Sequence, residues 1–262
     1  MTPMYELPKE PGSIQQVLDA TLRLYRTSFL PLLPLSVLAA LAAVIERAYV
    51  LLYVPEDALT TLNFDFLDAR FAVVFSIVLV TNLFAYGAMW AQMDFIARAQ
   101  HMSAARALAI GLRALPTLVV STVLFIVAVS VGLMLFLVPG VIVSVTLFLY
   151  GPAVLLERKG IIASLGESHR LVHGNWWHTA VLQTLGFGAA LAVSIVVAFT
   201  TEALLAAFSA GSRGAVVVWA CSAAVVAIVT NAFVAALTLE IYRDLKLRRD
   251  LKLRAQGGKP GA

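Results

Sequence analysis

Five long apolar runs, each bounded by charged residues, dominate the chain: 29–54, 71–97, 114–156, 179–208 and 214–242. A helix needs about 20 apolar residues to cross the hydrocarbon of a bilayer. The third run is long enough for two crossings, and Val138-Pro139-Gly140 divides it. Proline lacks the amide proton and glycine loosens the backbone, so the turn of a helical hairpin is expected there. The pattern predicts an all-α fold, a polytopic transmembrane bundle of six helices at about 29–54, 71–97, 114–137, 140–156, 179–208 and 214–242.

The segments between spans are patterned as well. At about 100° per residue, Ile14, Leu18, Leu22, Tyr25 and Phe29 fall in one stripe, with Gln16, Asp19, Arg23 and Arg26 opposite. Ser13 is placed to cap this helix. After Gly160, the residues Ile161, Ile162, Leu165, Val172 and Trp176 share a face, with Glu167 and Arg170 opposite. Trp176 and Trp177 follow at the entry to span five, where aromatic rings favour the headgroup layer. Ser103–Leu115 is a third, weaker case. Three interfacial amphipathic helices are thus expected on the cytoplasmic side, each preceding an odd-numbered span. Ser13, Leu18, Leu22 and Arg23 recur as Ser103, Leu108, Leu112 and Arg113, and Gly12, Ile14 and Asp19 recur as Gly160, Ile162 and Glu167. The recurrence suggests one unit, an interfacial helix plus a transmembrane hairpin, used three times.

Charge orients the bundle, because cytoplasmic flanks retain Lys and Arg. Sixteen of the nineteen basic residues fall before span one, in the loops two–three and four–five, or after span six. Arg70 and Arg213 lie on the other side and Arg47 lies within a span. Both termini are therefore expected on the cytoplasmic side of the membrane, with Glu56, Asp57, Asp65 and Asp68 in the first outer loop. The chain divides into a cytoplasmic amphipathic segment 1–28, a six-helix membrane domain 29–242 and a basic cytoplasmic tail 243–262. The 28 residues before the first run are too long and too mixed in charge for a cleavable signal peptide.

Composition agrees, with 61% hydrophobic and 13% charged residues and a mean hydropathy of +0.90. Soluble domains carry about 25% charged residues. The net charge of +4 is concentrated in the tail Arg243–Lys259, where it reads as a topology signal touching anionic headgroups rather than as affinity for nucleic acid. The single cysteine, Cys221, excludes an intramolecular disulfide and any site built from several thiolates.

Ionisable residues within spans are functional candidates by default. Glu46, Arg47 and Glu202 share the level of the outer leaflet, by their distance from the span centres. Two readings are open: Arg47 pairs with a carboxylate and reaches for the headgroups, or the three form a polar recess fit for a lipid headgroup or other amphiphile. Asp94 and Glu240 sit at inner ends, Glu240 beside Arg243. No charged residue reaches the midplane, where secondary transporters generally bind substrate. Asn82 and Asn231 lie there and are expected to bond between helices. Gly186, Gly188 and Ala192 read as small-residue packing sites. His169 and His173 share a helical face, which alone does not make a metal site. Ser164 and Ser168 lie near a polar helix face without a positioned base. The sequence has no P-loop and no GxSxG, and no cofactor or metal is expected.

From Val138-Pro139-Gly140 the sequence continues through Pro152-Ala153-Val154, Glu157, Gly160, Ser164, Ser168-His169-Arg170-Leu171 and Asn175-Trp176. This resembles the uncharacterised bacterial inner-membrane family typified by YciC, and the membrane domain of some glycerophosphoryl diester phosphodiesterases. Met102–Leu108 with Pro116, and Ile241-Tyr242-Arg243, fit the same pattern. The resemblance implies a six-helix membrane domain in an envelope or lipid context. It carries over no catalytic residue, since the hydrolytic barrel of those phosphodiesterases needs about 250 residues of its own. The expected function is non-enzymatic, in envelope or lipid organisation, with membrane lipids and a protein partner or second copy as partners. A permease or flippase-like carrier of an amphiphile is the alternative, and a membrane-embedded enzyme ranks last.

Overall fold

Ser13 starts the first helix as expected. Its hydroxyl accepts from Gln16 N, and the Gln16 side chain accepts from Ser13 N at 2.7 Å, which satisfies two of the amides a helix start leaves free. The computed structural model describes residues 5–54, 68–206 and 213–257, and the regular elements among them are eight helices. These are α1 (Ile14–Tyr53), α2 (Ala69–Ala97), α3 (Ala104–Leu135), α4 (Leu137–Leu147), α5 (Tyr150–Glu157), α6 (Ile161–Val172), α7 (Trp176–Leu205) and α8 (Arg213–Gly257). Taking α4 and α5 together, six helical stretches are long and apolar enough to cross a membrane. The all-α, six-span expectation holds. Glu56, Asp57 and Asp65 lie outside the described residues; Asp68 caps α2 through Phe71 N.

The element bounds differ from the sequence reading in four places. Segments 13–28 and 103–115 are not separate helices but the first turns of α1 and α3, which run through Pro31, Pro34 and Pro116. Proline inside a membrane helix is tolerated because neighbours can take up the freed carbonyls. Only the third segment is a helix of its own, α6, closed off by Gly174 at φ +80°. The three units are thus not connected alike. The hairpin turn sits at Phe136, in extended conformation, and Pro139-Gly140 form the first turn of α4. Gly140 instead lets the two arms touch: a Cβ on Gly132 would lie 2.9 Å from Gly140 Cα. Finally, α8 does not stop at 242 but continues as helix to Gly257, taking most of the expected tail with it.

Helix α8 is the central element. It gives Ala235, Ala236 and Leu239 to one core cluster, shared with α1, α2, α3 and α5. It gives Leu237, Ile241, Tyr242 and Leu245 to a second, shared with α4, α5, α6 and α7. Both clusters lie toward the C-terminal half of α8, so the bundle is tightly packed at that end. The other end displays exposed apolar side chains such as Met134, Phe136 and Phe199.

The apolar stripes are not the faces that pack into the protein. On the first turns of α1 the buried residues are Val17, Ala20, Thr21, Leu24 and Ser28, centred about 100° from the predicted stripe. Leu22 of that stripe is exposed. On α6 much of the predicted polar side is buried, Glu167 being 1% exposed and Ser164 and Ser168 fully buried, whereas Ile162 is 72% exposed; Val172 is buried and Arg170 exposed. The break between α4 and α5 explains this. Ser168 Oγ accepts from Leu149 N at 3.1 Å and donates to Thr146 O at 2.7 Å, so it satisfies backbone groups released at the break.

Candidate functional site

Helices α1, α2, α7 and α8 enclose a recess of about 320 Å³ at the loosely packed end. Small residues create the space: Ala43, Ala198, Ala223 and Ala227 line it where larger side chains would close it. Glu46 and Arg47 reach it from α1 and Glu202 from α7. The structure therefore brings the three expected residues to one cavity, and adds Asn82 and Asn231 deeper in. Thr230 and Ser222 donate to carbonyls of their own helix, at 2.7 and 2.8 Å, which leaves their oxygens as acceptors toward the recess.

The expected pairing of Arg47 with a carboxylate is absent. Among the described residues no ion pair joins Glu46, Arg47 or Glu202, and all three are exposed. Asn231 does bond between helices, accepting from Tyr86 at 3.0 Å. Asn82 does not: its amide donates to Val78 O on its own helix at 3.1 Å. Gly186 packs as predicted, since a Cβ there would collide with Leu237. Gly188 has nothing within reach and Ala192 is exposed, so neither is a packing site.

At the opposite end lies an ion-pair network that the sequence reading missed except for Glu240 beside Arg243. Arg243 donates to Glu240 at 2.7 Å and to Asp94 at 2.8 Å, and Asp94 also holds Arg98 at 2.9 Å. Tyr5 donates to Glu240 at 2.6 Å. Burial, and then the Glu240 carboxylate, push the Tyr5 phenol well above its ordinary value, so it stays a donor. Glu157 accepts from Lys246 at 2.6 Å, from Lys159 at 3.0 Å and from Tyr242. Glu167 takes Lys159 at 2.5 Å, Arg170 at 2.7 Å and Arg249. Burial works against its charge, but hydrogen bonds from Lys159 and Arg249 and their charges outweigh it and hold the carboxyl below the usual range. Asp244 accepts from Gly12 N and Arg248, both at 2.7 Å, with His178 Nε2 at 3.0 Å. Most basic residues of the expected tail's first turns are thus engaged inside the protein. The visible signal was a carboxylate near each end that meets there, Asp94, Glu157, Glu240 and Asp244; the partners were far apart in sequence.

His169 and His173 stack at 5.8 Å between ring centroids and are exposed. Among the described residues no group of three His, Cys, Asp or Glu could hold a metal.

The sequence pattern of the uncharacterised protein family UPF0259 matches residues 63–210, more than half of the chain. The chain belongs to this family. Among curated relatives, a UPF0259 membrane protein of Serratia proteamaculans (strain 568) is 32% identical over 104 residues, 40% of this chain and 41% of the relative. One from Yersinia pestis (strain Pestoides F) is 31% identical over 97 residues, 37% and 38% of the two chains. The chain thus aligns with about two fifths of the length of these relatives. No solved structure matches. The UPF0259 match takes in α2 to α7 with Asn82 and Glu202, and leaves α1, α8, Glu46 and Arg47 outside.

Proposed function

We propose that this UPF0259 member is a non-enzymatic protein of the bacterial inner membrane that binds a membrane amphiphile and serves envelope or lipid organisation. One observation carries the reading: Glu46, Arg47 and Glu202 converge on a recess bounded by four helices, and among the described residues none of them has an ion-pair partner. A charge placed within a span without an internal partner needs an external one, either water or a ligand's headgroup. A zwitterionic headgroup offers both signs at once, matching one guanidinium beside two carboxylates. Both termini are read as cytoplasmic, because the basic residues gather at the end that holds the ion-pair network. The likeness of residues 138–177 to YciC-type proteins and to the membrane domain of glycerophosphoryl diester phosphodiesterases supports the same lipid context.

A carrier of the amphiphile is the second reading, favoured by the reach of the recess from Glu202 to Asn82 and Asn231. Native mass spectrometry of the protein released from mild detergent tests both. A stoichiometric, headgroup-selective lipid that is lost on Arg47→Leu or Glu202→Gln is the expected result. Bulk lipid with no dependence on either residue would overturn the proposal. Movement of that lipid between leaflets in proteoliposomes would separate carrier from binder.

A further inference from the structure

Arg106, Arg113 and Arg158 stand outside the ion-pair network although they lie at the same end of the bundle. Seven other basic side chains there have a carboxylate within 4.0 Å; among the described residues these three have none. All three are exposed, as Arg26 is, and what sets them apart from it is a shared cleft. Arg106, Arg113 and Arg158 border a cavity of about 440 Å³ floored by Phe95, Ile110 and Leu155. It adjoins one of about 340 Å³, bordered again by Arg113 and Arg158 and floored by Val154 and Ala114. Arg106 lies over the Phe95 ring, 5.7 Å from its centre, which holds the guanidinium at the cleft. Arg158 sits in a left-handed conformation, φ 51°, that ends α5 and aims the chain away from the helix.

Asp94 also lines the larger cavity, but its carboxylate is already bound by Arg98 and Arg243. Three like charges around one space therefore lack an internal counter-ion. A phosphate ester supplies one, since its oxygens match the forked donors of guanidinium. The floor decides the source. A free phosphate has nothing to place on Ile110, Leu155 or Val154, whereas a lipid continues from the cleft onto the exposed apolar side of α3 at Leu112, Val120 and Val123. Basic pockets between helices at the membrane boundary bind anionic headgroups in this way.

We propose that this cleft binds the phosphodiester headgroup of an anionic phospholipid. The site lies at the other end of the bundle from Arg47, and its test uses none of the recess residues. The full chain in mild detergent is titrated with phosphatidylglycerol, phosphatidylcholine and glycerol 3-phosphate, and bound species are counted by native mass spectrometry. Phosphatidylglycerol is expected to fill a site that phosphatidylcholine does not, and Arg113→Gln with Arg158→Gln to weaken its binding there about thirty-fold, about five-fold per arginine. Ala109→Glu, which places a carboxylate in the cleft from an exposed helix position, is expected to give a similar loss without removing a guanidinium. Arg26→Gln should leave binding unchanged. Equal binding by the double variant and by Ala109→Glu would overturn the proposal, as would an equal loss in Arg26→Gln, which would mean surface charge alone. Displacement of the lipid by equimolar glycerol 3-phosphate would overturn the lipid source.

Discussion

The two ends of this bundle handle charge in opposite ways. At one end Asp94, Glu167, Glu240 and Asp244 are buried, and each is held by at least one cation and a second donor. At the other, Glu46, Arg47 and Glu202 meet at a recess and, among the described residues, none is ion-paired. The difference follows from packing. Where both core clusters close around α8, a charge loses its water and survives only with partners of good geometry. Where small residues leave a recess, the charges keep access to solvent and their partners need not be built in. Helix length separates the two regimes: from Val17 to Glu46 α1 rises about 44 Å, more than the about 30 Å of hydrocarbon. The paired network reads as scaffold, and the unpaired charges, at the recess and at the arginine cleft alike, as places for a ligand.

The largest test of this contrast is Glu167→Ala set beside Glu46→Gln. Removing Glu167 strips the shared partner from Lys159, Arg170 and Arg249. Breaking a buried pair costs about 3–5 kcal/mol. Because Arg170 is largely exposed, a loss near about 3 kcal/mol is expected in thermal or denaturant unfolding in detergent. Glu46→Gln should stay within about 0.5 kcal/mol. Equal losses would erase the distinction between the ends.

Glycines test packing without charge. A Cβ on Gly111 would come within 3.0 Å of Ala88 N and Phe84 O. Those are backbone atoms, so α2 and α3 must part. Gly111→Ala should cost about 2 kcal/mol, as overpacking does. Gly188→Ala meets nothing and should change stability by less than about 0.5 kcal/mol. The same unfolding assay measures both.

Acid should act on the paired end through Glu167. The Glu167 carboxyl is held below its ordinary value in the folded chain. Its contribution is therefore complete above the ordinary carboxylate value of about 4.3 and is lost as pH falls below that, through the lowered folded value. Unfolding midpoints measured downward from pH 6 should begin to drop in that range. The drop should be smaller than that of either destabilising substitution and weaker in Glu167→Gln. A profile unchanged by Glu167→Gln would assign the acid response to other carboxylates.

Hydrophobic runs made the six spans legible, because crossing hydrocarbon constrains length and composition regardless of what packs alongside. The same signal did not report which face packs against protein. In a membrane the apolar side of a helix need not face protein, so the stripe Ile14–Leu18–Leu22 marks lipid or interface as readily as core. The buried side of α1 is instead set by small and hydroxylated residues, Ala20, Thr21 and Ser28. On α6, burial of Glu167 and Ser168 depends on Arg249 and on the break at Leu149, features that no local pattern reports. The three charges of the recess were legible because depth follows from position in a span. Their lack of pairing was not, since that depends on side-chain reach across α1, α7 and α8.

The finest discrimination lies between the two asparagines of the recess, which the sequence treats alike. Asn231 accepts from Tyr86 across helices at 3.0 Å. Asn82 only adds a bond to Val78 O on its own helix, a carbonyl that the helical ladder already uses. Interhelical hydrogen bonds in membranes average about 0.6 kcal/mol, so Asn231→Leu should cost about that amount. Tyr86→Phe in the Asn231→Leu background should then cost less than it does alone, because the partner has gone. Asn82→Leu should leave stability within about 0.3 kcal/mol of the parent, below the average for such bonds. It should nonetheless lower lipid retention, because a larger apolar side chain enters the recess that Asn82 lines. If Asn82→Leu instead destabilised more than Asn231→Leu, the deep wall of the recess would be part of the scaffold. The boundary between packed scaffold and open recess would then have to move outward to the level of Glu46 and Glu202.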